Sequence, residues 1–483
     1  MITFLISILL LIAGYFVYGK IVERFIGVDP LRKTPAYDRE DGIDYMPMPT
    51  WKVFVIQFLN IAGLGPIFGA VMGAAYGPAA YLWIVLGCIF MGAVHDFFAG
   101  MMSIESSGAN MPDITGKYLG KTMKGVMSVV VSFLLLAVGV SFVTGPSDLI
   151  ASLTGVNKEV WLYVIFAYYL LATLLPIDKI IGNIYPYMGA ALLFMALGVG
   201  IMLVVGALNG THHMIELTPS TLKNWHFAPE SNILVPMLFI VVSCGAISGF
   251  HSTQSPLMAR CLTNEKQCRP VFYGALISES IIALIWAAIA MAFWGGVEEL
   301  NEALAANRNN ASILVDMIAN ETLGHTIAIV VMFGVIGAAI TSGDTAYRSA
   351  RLMIADALGI EQKTLWKRIV VCLPIFALAV FIILATDFRT LWSYFAWFNQ
   401  TLSVFTLWAI CIYLVRERKP VVIAMIPAVF MTYVCSLYLF TAGQMLGLAN
   451  TLGSVLAGAL TLVITSYFIY RFNAEVRNAK TRA

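Results

Sequence analysis

The chain has 483 residues, of which 60% are hydrophobic and 12% charged, and its mean hydropathy is +0.84. Soluble globular domains carry about 25% charged residues, so the composition excludes an ordinary soluble protein and indicates a polytopic membrane protein. The net charge of +2 gives no indication of nucleic-acid binding, and we expect no nucleic-acid partner. Membrane lipids are the expected surroundings.

Apolar runs of about 20 residues predict the transmembrane helices. The first run, 2–22, lacks a basic leading segment and a small-residue cleavage site, so we expect it to remain as a helix rather than be removed as a signal. Thirteen helices are predicted in all, at 2–22, 51–75, 80–103, 123–145, 159–176, 185–208, 233–257, 270–294, 323–345, 367–386, 389–415, 420–440 and 448–471.

The distribution of basic residues predicts the orientation of these helices. With the amino terminus outside, most of the 29 Lys and Arg residues fall in loops on the cytoplasmic side. Cytoplasmic loops of membrane proteins carry such an excess. We therefore predict a multi-pass cytoplasmic-membrane protein with an external amino terminus and a cytoplasmic carboxyl terminus.

Two of the predicted helices contain residues that interrupt helical structure. The second has Gly63, Gly65 and Pro66 at its centre, and the seventh has Gly245 and Gly249. Glycine adds backbone freedom and proline removes an amide donor, so both helices are expected to unwind near the middle of the membrane. Unwound backbone is tolerated there only where it is buried in protein or lines a cavity.

The spacing of the two interruptions predicts a repeat. Five helices separate the interrupted pair, so the second copy has the opposite orientation in the membrane. This predicts the leucine-transporter (APC-superfamily) fold, an all-α arrangement of 5+5 inverted repeats with one extra helix before and two after. The predicted units are 1–50 (extra helix and cytoplasmic linker), 51–208 (first repeat), 209–232 (extracellular loop), 233–415 (second repeat) and 416–483 (two helices and a cytoplasmic tail).

Polar residues at the interruptions are the candidate substrate-binding groups. Unwound carbonyls can bind a cation, and the amino termini of half-helices can bind a carboxylate. The alternative is that Gly and Ser only allow close helix packing. The candidates are Asn60, Gly63, Gly65, Ser248, His251 and Gln254, with Asn399 and Gln400 of the eleventh helix as further cavity-lining residues.

Thr341 and Ser342 in the ninth helix form a candidate sodium site. Adjacent hydroxyls facing the first interrupted helix could bind Na⁺ together with its carbonyls, because hard cations prefer oxygen ligands. The equally weighted alternative is that both hydroxyls bond to carbonyls of their own helix. Asp344 and Arg348 stand four residues apart, so an ion pair between them is expected at the cytoplasmic mouth.

Three buried titratable residues are candidates for proton coupling. His95 and Asp96 lie in the third helix, and Glu279 lies among Ala, Leu and Ile in the eighth. A structural hydrogen-bonded pair is an equally good interpretation of His95 and Asp96, whereas Glu279 has no basic neighbour within its own helix. No nucleophile and base are arranged as in a hydrolase, so we expect no enzyme activity and no cofactor beyond a coupling Na⁺ or H⁺.

Several motifs resemble the carbon starvation protein A (CstA) family of peptide and pyruvate transporters. The most specific is CGAISGFHSTQSPLMAR at 244–260, and the others lie at 65–69, 92–96, 271–279, 344–351 and 399–401. The resemblance implies an importer of the bacterial inner membrane driven by an ion gradient. The chain departs from the family in being shorter than its larger members, and in having Thr341 and Ser342 where the family pattern contains more leucine.

The leading functional hypothesis is a secondary transporter that imports short peptides by alternating access. A proton- or sodium-coupled symporter of pyruvate or another small monocarboxylate is the alternative. From other classes, a channel would pass its solute only downhill, and a membrane nutrient sensor should carry a sizeable soluble domain, which we do not find. The sequence does not indicate the oligomeric state.

Overall fold

The computed structural model describes residues 1–175, 181–307, 309–386 and 388–482, and these residues form helices and loops without β strands. Within them, nine helices are long and apolar enough to cross a membrane, and one bent pair adds a tenth. The nine helices are Ile2–Ile26, Ala79–Glu105, Lys121–Thr154, Tyr185–Leu208, Glu265–Phe293, Leu365–Ala385, Leu391–Arg416, Val422–Thr441 and Asn450–Arg477.

The bent pair and three further elements complete the predicted set. The pair, Thr50–Ile61 and Gly65–Ala74, is the first broken crossing, and its halves make an angle of 54°. The three others are the helix Lys158–Leu174, the second broken crossing (Leu234–Val241 and His251–Ala259) and the helix His325–Leu358. The nine helices, the bent pair and these three elements together correspond to the thirteen predicted crossings, among the described residues.

Several helices extend beyond the ends that hydropathy predicts. The ninth crossing was expected to end at residue 345 but continues to Leu358, where Gly359 adopts a left-handed conformation with φ of 66°. The fourth continues to Thr154 and ends in the same way, at Gly155. Hydropathy marks only the part of a helix in the hydrocarbon, whereas glycine at this position ends the hydrogen-bonded spiral. The predicted end of the fifth crossing, residue 176, lies outside the described residues.

Short helices occupy segments that the sequence left as connections. They are Pro35–Asp38, Met111–Leu119, Val297–Ala306 and Ala311–Leu323. The last two fill most of the connection after the eighth crossing. Ala311–Leu323 packs against the Gly65–Ala74 half of the first broken crossing, and Val297–Ala306 packs against the eighth crossing. They are too short or too polar to appear as membrane spans, so hydropathy alone does not reveal them.

Burial separates central helices from peripheral ones. In the most apolar part of each crossing, 83% of residues are buried in Glu265–Phe293, but only 28% in Ile2–Ile26 and 22% in Asn450–Arg477. The broken crossings pack among Glu265–Phe293 and His325–Leu358 at the centre of the bundle. The first and last crossings therefore present most of their apolar surface to lipid, where it needs no protein cover.

Candidate functional site

The first broken crossing loses its helical structure over residues 62–64. The helix Thr50–Ile61 ends there, and a wide helical turn, Gly65–Gly69, begins the outer half. Pro66 stands near the start of that turn, where its missing amide leaves no bond unmade. The interruption predicted between Gly63 and Pro66 is confirmed.

The second broken crossing is non-helical from residue 242 to 250, which confirms the interruption predicted at Gly245 to Gly249. Gly245 has φ of +85°, a conformation that side chains with a Cβ rarely adopt. Other helices satisfy the exposed main chain: Trp83 donates to the Val242 carbonyl at 2.7 Å, and Ser280 donates to the Gly245 carbonyl at 2.7 Å. The break is therefore a fixed structure held by its neighbours.

Asn399 holds the end of this break. Its side-chain oxygen accepts from the Phe250 amide at 2.6 Å and from the Ser248 hydroxyl at 3.0 Å, and its main-chain carbonyl accepts from the Gly249 amide. These bonds satisfy amides at the start of the half-helix His251–Ala259, as a helix cap does. Predicted as a cavity-lining residue, Asn399 positions the break through its carbonyl and side-chain oxygens.

The two breaks touch each other at Gly65 and Cys244. A Cβ placed on Gly65 would lie 2.3 Å from the sulfur of Cys244. That separation is far inside van der Waals contact, so only glycine allows the two chains this close at position 65. The unwound segments thus form one central structure, as the fold prediction requires.

Thr341 and Ser342 face the first break, as predicted. Ser342 Oγ lies 3.0 Å from the carbonyl oxygens of both Leu59 and Asn60, and Thr341 Oγ1 lies 3.3 Å from that of Leu59. Thr341 also bonds the Ala338 carbonyl of its own helix at 2.9 Å, which is the contact that the alternative interpretation predicts. The result is a cluster of buried oxygens of the type that hard cations prefer.

The three predicted proton-coupling residues lie in one buried cluster, together with His251. His95 Nδ1 lies 2.8 Å from Asp96 Oδ1, and His251 Nδ1 lies 2.9 Å from Asp96 Oδ2. Glu279 Oε2 lies 3.7 Å from His251 Nε2. All four side chains are fully buried. Two imidazoles therefore share one carboxylate, a chain through which a proton can be held or passed.

The remaining predicted substrate-binding residues, which include Asn60, Gln254 and Gln400, are also buried. Both side-chain polar atoms of Asn60 lack a hydrogen-bond partner. Gln254 donates to Thr253 at 2.7 Å and to Ser349 at 3.3 Å, and Gln400 donates to the Phe239 carbonyl at 3.0 Å. Buried polar groups without partners are costly, which makes Asn60 the strongest of these candidates for contact with a bound solute.

A cavity of about 620 Å³ lies on one side of the breaks. Its walls come from one half of each broken crossing, the connection 209–232, residues 304 and 309–311, the start of the eleventh crossing and the end of the twelfth. Phe68, Met72 and Val241 of the broken crossings line it, and so do Asn232, Asn310 and Trp392. The eight predicted substrate-binding residues are buried and are not part of its lining.

The opposite side is closed by a buried ionic network that the sequence did not reveal. Asp44, in the linker before the first broken crossing, accepts from Arg348 at 3.1 Å and from Arg351 at 3.0 Å. Burial raises the pKa of Asp44, but attraction to Arg351 and Arg348 outweighs it and lowers that pKa to about 2. The predicted ion pair between Asp344 and Arg348 is wrong, because Arg348 binds Asp44 and the Ala172 and Leu175 carbonyls.

Asp344 has a different partner in the folded chain. Its carboxylate accepts from the hydroxyl of Tyr185 at 3.1 Å, and the same hydroxyl lies 2.9 Å from the Thr341 carbonyl. The spacing of four residues predicted a contact between Asp344 and Arg348 along one helix. In the folded chain Asp344 instead bonds Tyr185, which belongs to another helix. Neither Tyr185 nor Asp44 carries a local sequence signal for these contacts.

Two inverted units of five helices, each beginning with a broken crossing, define the leucine-transporter class of membrane proteins. The crystal structure of MhsT in complex with L-phenylalanine has this fold and aligns with a TM-score of 0.56 over 86% of this chain and 98% of its own, at 14% sequence identity. The chain belongs to the carbon starvation protein CstA family, whose model matches residues 1–144 and 124–319.

Several proteins, some with a named activity and some without one, are similar to this chain in sequence. An uncharacterized membrane protein of Haemophilus influenzae is 45% identical over 63% of this chain and 95% of its own length. The pyruvate/proton symporter BtsT of Escherichia coli is 26% identical over 55% of this chain, and the peptide transporter CstA of the same organism is 24% identical over 58%. The chain spans under half of those two transporters, 45% and 48% respectively.

Proposed function

We propose that this protein is a secondary transporter that imports short peptides by alternating access, driven by an ion gradient. The observation that carries the proposal is the contact between two broken crossings at Gly65 and Cys244, at the centre of the fold that the chain shares with a solved transporter structure. The CstA family includes peptide transporters and a pyruvate/proton symporter, which supports a transporter rather than an enzyme.

Two ion-binding groups support coupling. Thr341 and Ser342 with the Leu59 and Asn60 carbonyls are the proposed sodium site. The cluster of His95, Asp96, His251 and Glu279 is the proposed proton site, since a buried carboxylate between two imidazoles can change its protonation without leaving the protein. A gradient of either ion could drive the substrate across the membrane against its own concentration gradient.

The cavity supports a peptide as the substrate. Its volume of about 620 Å³ is within the range of sites for drug-sized ligands and exceeds what a three-carbon acid needs. Asn60 and the half-helix amino termini, whose amides favour a carboxylate, do not line this cavity, so a peptide bound in it would contact them only after the crossings move during alternating access. Ser248, His251, Gln254 and Gln400, with Gly63 and Gly65, complete the proposed substrate shell.

Pyruvate is the second candidate, favoured by the similarity to a pyruvate/proton symporter. It carries a single carboxylate, so one half-helix terminus would hold it. Uptake of labelled dialanine and of labelled pyruvate into proteoliposomes, with pH and sodium gradients imposed separately, tests both candidates. Accumulation of dialanine above equilibrium supports the proposal, accumulation of pyruvate alone selects the second candidate, and accumulation of neither rejects transport of both.

The proposed orientation has the amino terminus outside and the carboxyl terminus in the cytoplasm of a bacterial cell. The excess of Lys and Arg in loops on one side supports it. In this orientation the 620 Å³ cavity opens outward and the Asp44 network closes the cytoplasmic side. A fluorescent protein that folds only in the cytoplasm, fused after residue 483, should fluoresce, and its fusion before residue 1 should not.

A further inference from the structure

Three side chains from different parts of the second repeat converge beside the break. They are Cys244 within the break, His251 at the start of the inner half-helix and Glu279 in the eighth crossing. One sulfur, one imidazole nitrogen and one carboxylate oxygen all lie within 4.8 Å of one another. His251 and Glu279 are fully buried, and Cys244 is 4% exposed.

Two of the three residues, His251 and Glu279, have donor atoms without the partners that buried polar atoms usually have. His251 Nε2 and both carboxylate oxygens of Glu279 have no hydrogen-bond partner. The 3.7 Å between His251 Nε2 and Glu279 Oε2 is too long for a hydrogen bond. Zinc bonds of about 2.0–2.2 Å at tetrahedral angles separate neighbouring nitrogen and oxygen ligands by about 3.4 Å, close to this distance.

His251 is already oriented as a metal ligand. Its other ring nitrogen, Nδ1, lies 2.9 Å from Asp96 Oδ2, and Asp96 Oδ1 is in turn 2.8 Å from His95 Nδ1. Metal-binding histidines in proteins regularly donate their second nitrogen to a carboxylate, which fixes the ring and leaves the first nitrogen for the metal. The Asp96 contact therefore directs Nε2 toward Cys244 and Glu279.

We infer that Cys244, His251 and Glu279 form a binding site for a divalent transition metal ion of the zinc type. When the ion binds, the Cys244 thiol loses its proton to solvent, so a thiolate and a carboxylate supply two negative charges against the two positive charges of the ion. Sulfur and imidazole ligands favour Zn²⁺ over Mg²⁺ or Ca²⁺, which prefer oxygen. Three protein ligands leave a fourth tetrahedral position for water or a solute.

The ion would add direct bonds among three elements that are otherwise held by packing, by chain continuity and by the hydrogen bond from Ser280 to the Gly245 carbonyl. Cys244 belongs to the break, His251 to the half-helix and Glu279 to a neighbouring crossing, so the metal would fix the shape of the second break. His251 and Glu279 are also members of the proposed proton site, so a bound ion would occupy two of its four residues. The metal site itself does not depend on the proposed transport activity.

The test measures metal content rather than transport. The full-length protein in detergent is stripped with a chelator, incubated with Zn²⁺ alone, desalted and analysed by mass spectrometry for zinc. We expect about one zinc per wild-type chain, and at least about a tenfold lower content in Cys244→Ser, His251→Gln and Glu279→Gln. Cys411→Ser, at another buried cysteine, and Glu298→Gln, at an exposed carboxylate, should retain the wild-type content.

A spectroscopic measurement separates loss of the site from misfolding. With Co²⁺ in place of Zn²⁺, a thiolate ligand produces a charge-transfer absorption that should appear in the wild-type protein and disappear in Cys244→Ser, while the two variants keep the same elution volume. A wild-type content near zero, or equal zinc and the same absorption in Cys244→Ser, overturns the inference. Failure of peptide or pyruvate uptake bears on the proposed function only and leaves this result unchanged.

Discussion

His251 Nδ1 and Asp96 Oδ2 lie 2.9 Å apart, although the two residues are separated by 155 positions in the chain. The contact joins the inner half-helix of the second repeat to the third crossing, which belongs to the first repeat. It also completes the chain from His95 to Glu279 through one carboxylate. Any movement of the two repeats relative to each other must change this contact.

Replacing Asp96 by Asn should uncouple transport. A charge-assisted hydrogen bond between carboxylate and imidazole contributes about 1.5–3 kcal/mol, so its loss should lower accumulation driven by a pH gradient by about tenfold or more. Exchange of substrate across the membrane without a gradient should fall much less, since it needs no net proton movement. The measurement is labelled uptake in proteoliposomes under both conditions.

The matched control is Asp148→Asn. The carboxylate of Asp148 lies near the end of the fourth crossing, is half-exposed and pairs with Lys158. It should leave both kinds of uptake within about a factor of two, because exposed ion pairs contribute under about 1 kcal/mol. Full proton-driven accumulation in Asp96→Asn would show that the cluster has a structural role only.

Replacing Ser342 by Ala should weaken sodium dependence. The hydroxyl lies 3.0 Å from both the Leu59 and the Asn60 carbonyl, so the variant removes one oxygen from the proposed site. We expect the sodium concentration for half-maximal uptake to rise about tenfold, equivalent to about 1.4 kcal/mol. It is measured by titrating external sodium at constant ionic strength.

Thr345→Val provides the comparison for this variant. Thr345 lies one turn further along the same helix, and its hydroxyl bonds the Thr341 and Ser342 carbonyls of that helix. Its removal should leave the sodium dependence unchanged. If wild-type uptake does not depend on sodium, the oxygen cluster contributes to helix packing and not to ion binding.

Gly65→Ala should disturb the contact between the breaks. The new Cβ would lie 2.3 Å from Cys244 Sγ, and the surrounding crossings leave little room to move. Overpacking of this kind costs about 1–3 kcal/mol, so the melting temperature in detergent should fall by several degrees. Uptake should fall with it, because the central structure is displaced.

Gly125→Ala tests whether the effect is specific to position 65. A Cβ at position 125 meets nothing within 4 Å, and the residue lies in a regular helix. Alanine there should be neutral or stabilise by about 0.5–1 kcal/mol through its helix propensity. Equal behaviour of the two variants would mean that the breaks are not in contact.

Asp44→Asn should destabilise the protein by leaving the Arg348 and Arg351 guanidinium groups without their buried counter-charge. Breaking a buried pair in this way costs about 3–5 kcal/mol. We expect the melting temperature to fall by about 5 °C or more. Asp38→Asn, at an exposed pair with Lys33, should change it by about 1 °C or less.

The same network has a pH dependence with a defined sign. The pKa of Asp44 is about 2 in the folded protein, below its ordinary value of about 3.9. Its stabilisation is therefore fully present above pH of about 4 and is lost as the pH falls toward 2. The difference in melting temperature between wild type and Asp44→Asn should shrink over that interval. A constant difference would contradict the low pKa.

Local chemistry allowed the breaks to be predicted. Gly63, Gly65, Pro66 and Gly245 act on their own backbone, through a missing Cβ or a missing amide, and need no distant partner to interrupt a helix. Long apolar runs predicted the crossings for a similar reason, because a backbone in lipid must bond within itself. Helix ends beyond the hydrocarbon, such as Leu358, were not predicted, because hydropathy does not detect them.

Partners of buried polar side chains were decided by the tertiary structure. The sequence predicted His95, Asp96 and Glu279 as one group of candidates and His251 as another, yet all four meet at one place. Arg348 stands four residues from Asp344, but its partner is Asp44. A buried charge takes the nearest group that satisfies it, and which groups are near depends on how helices far apart in the chain pack together.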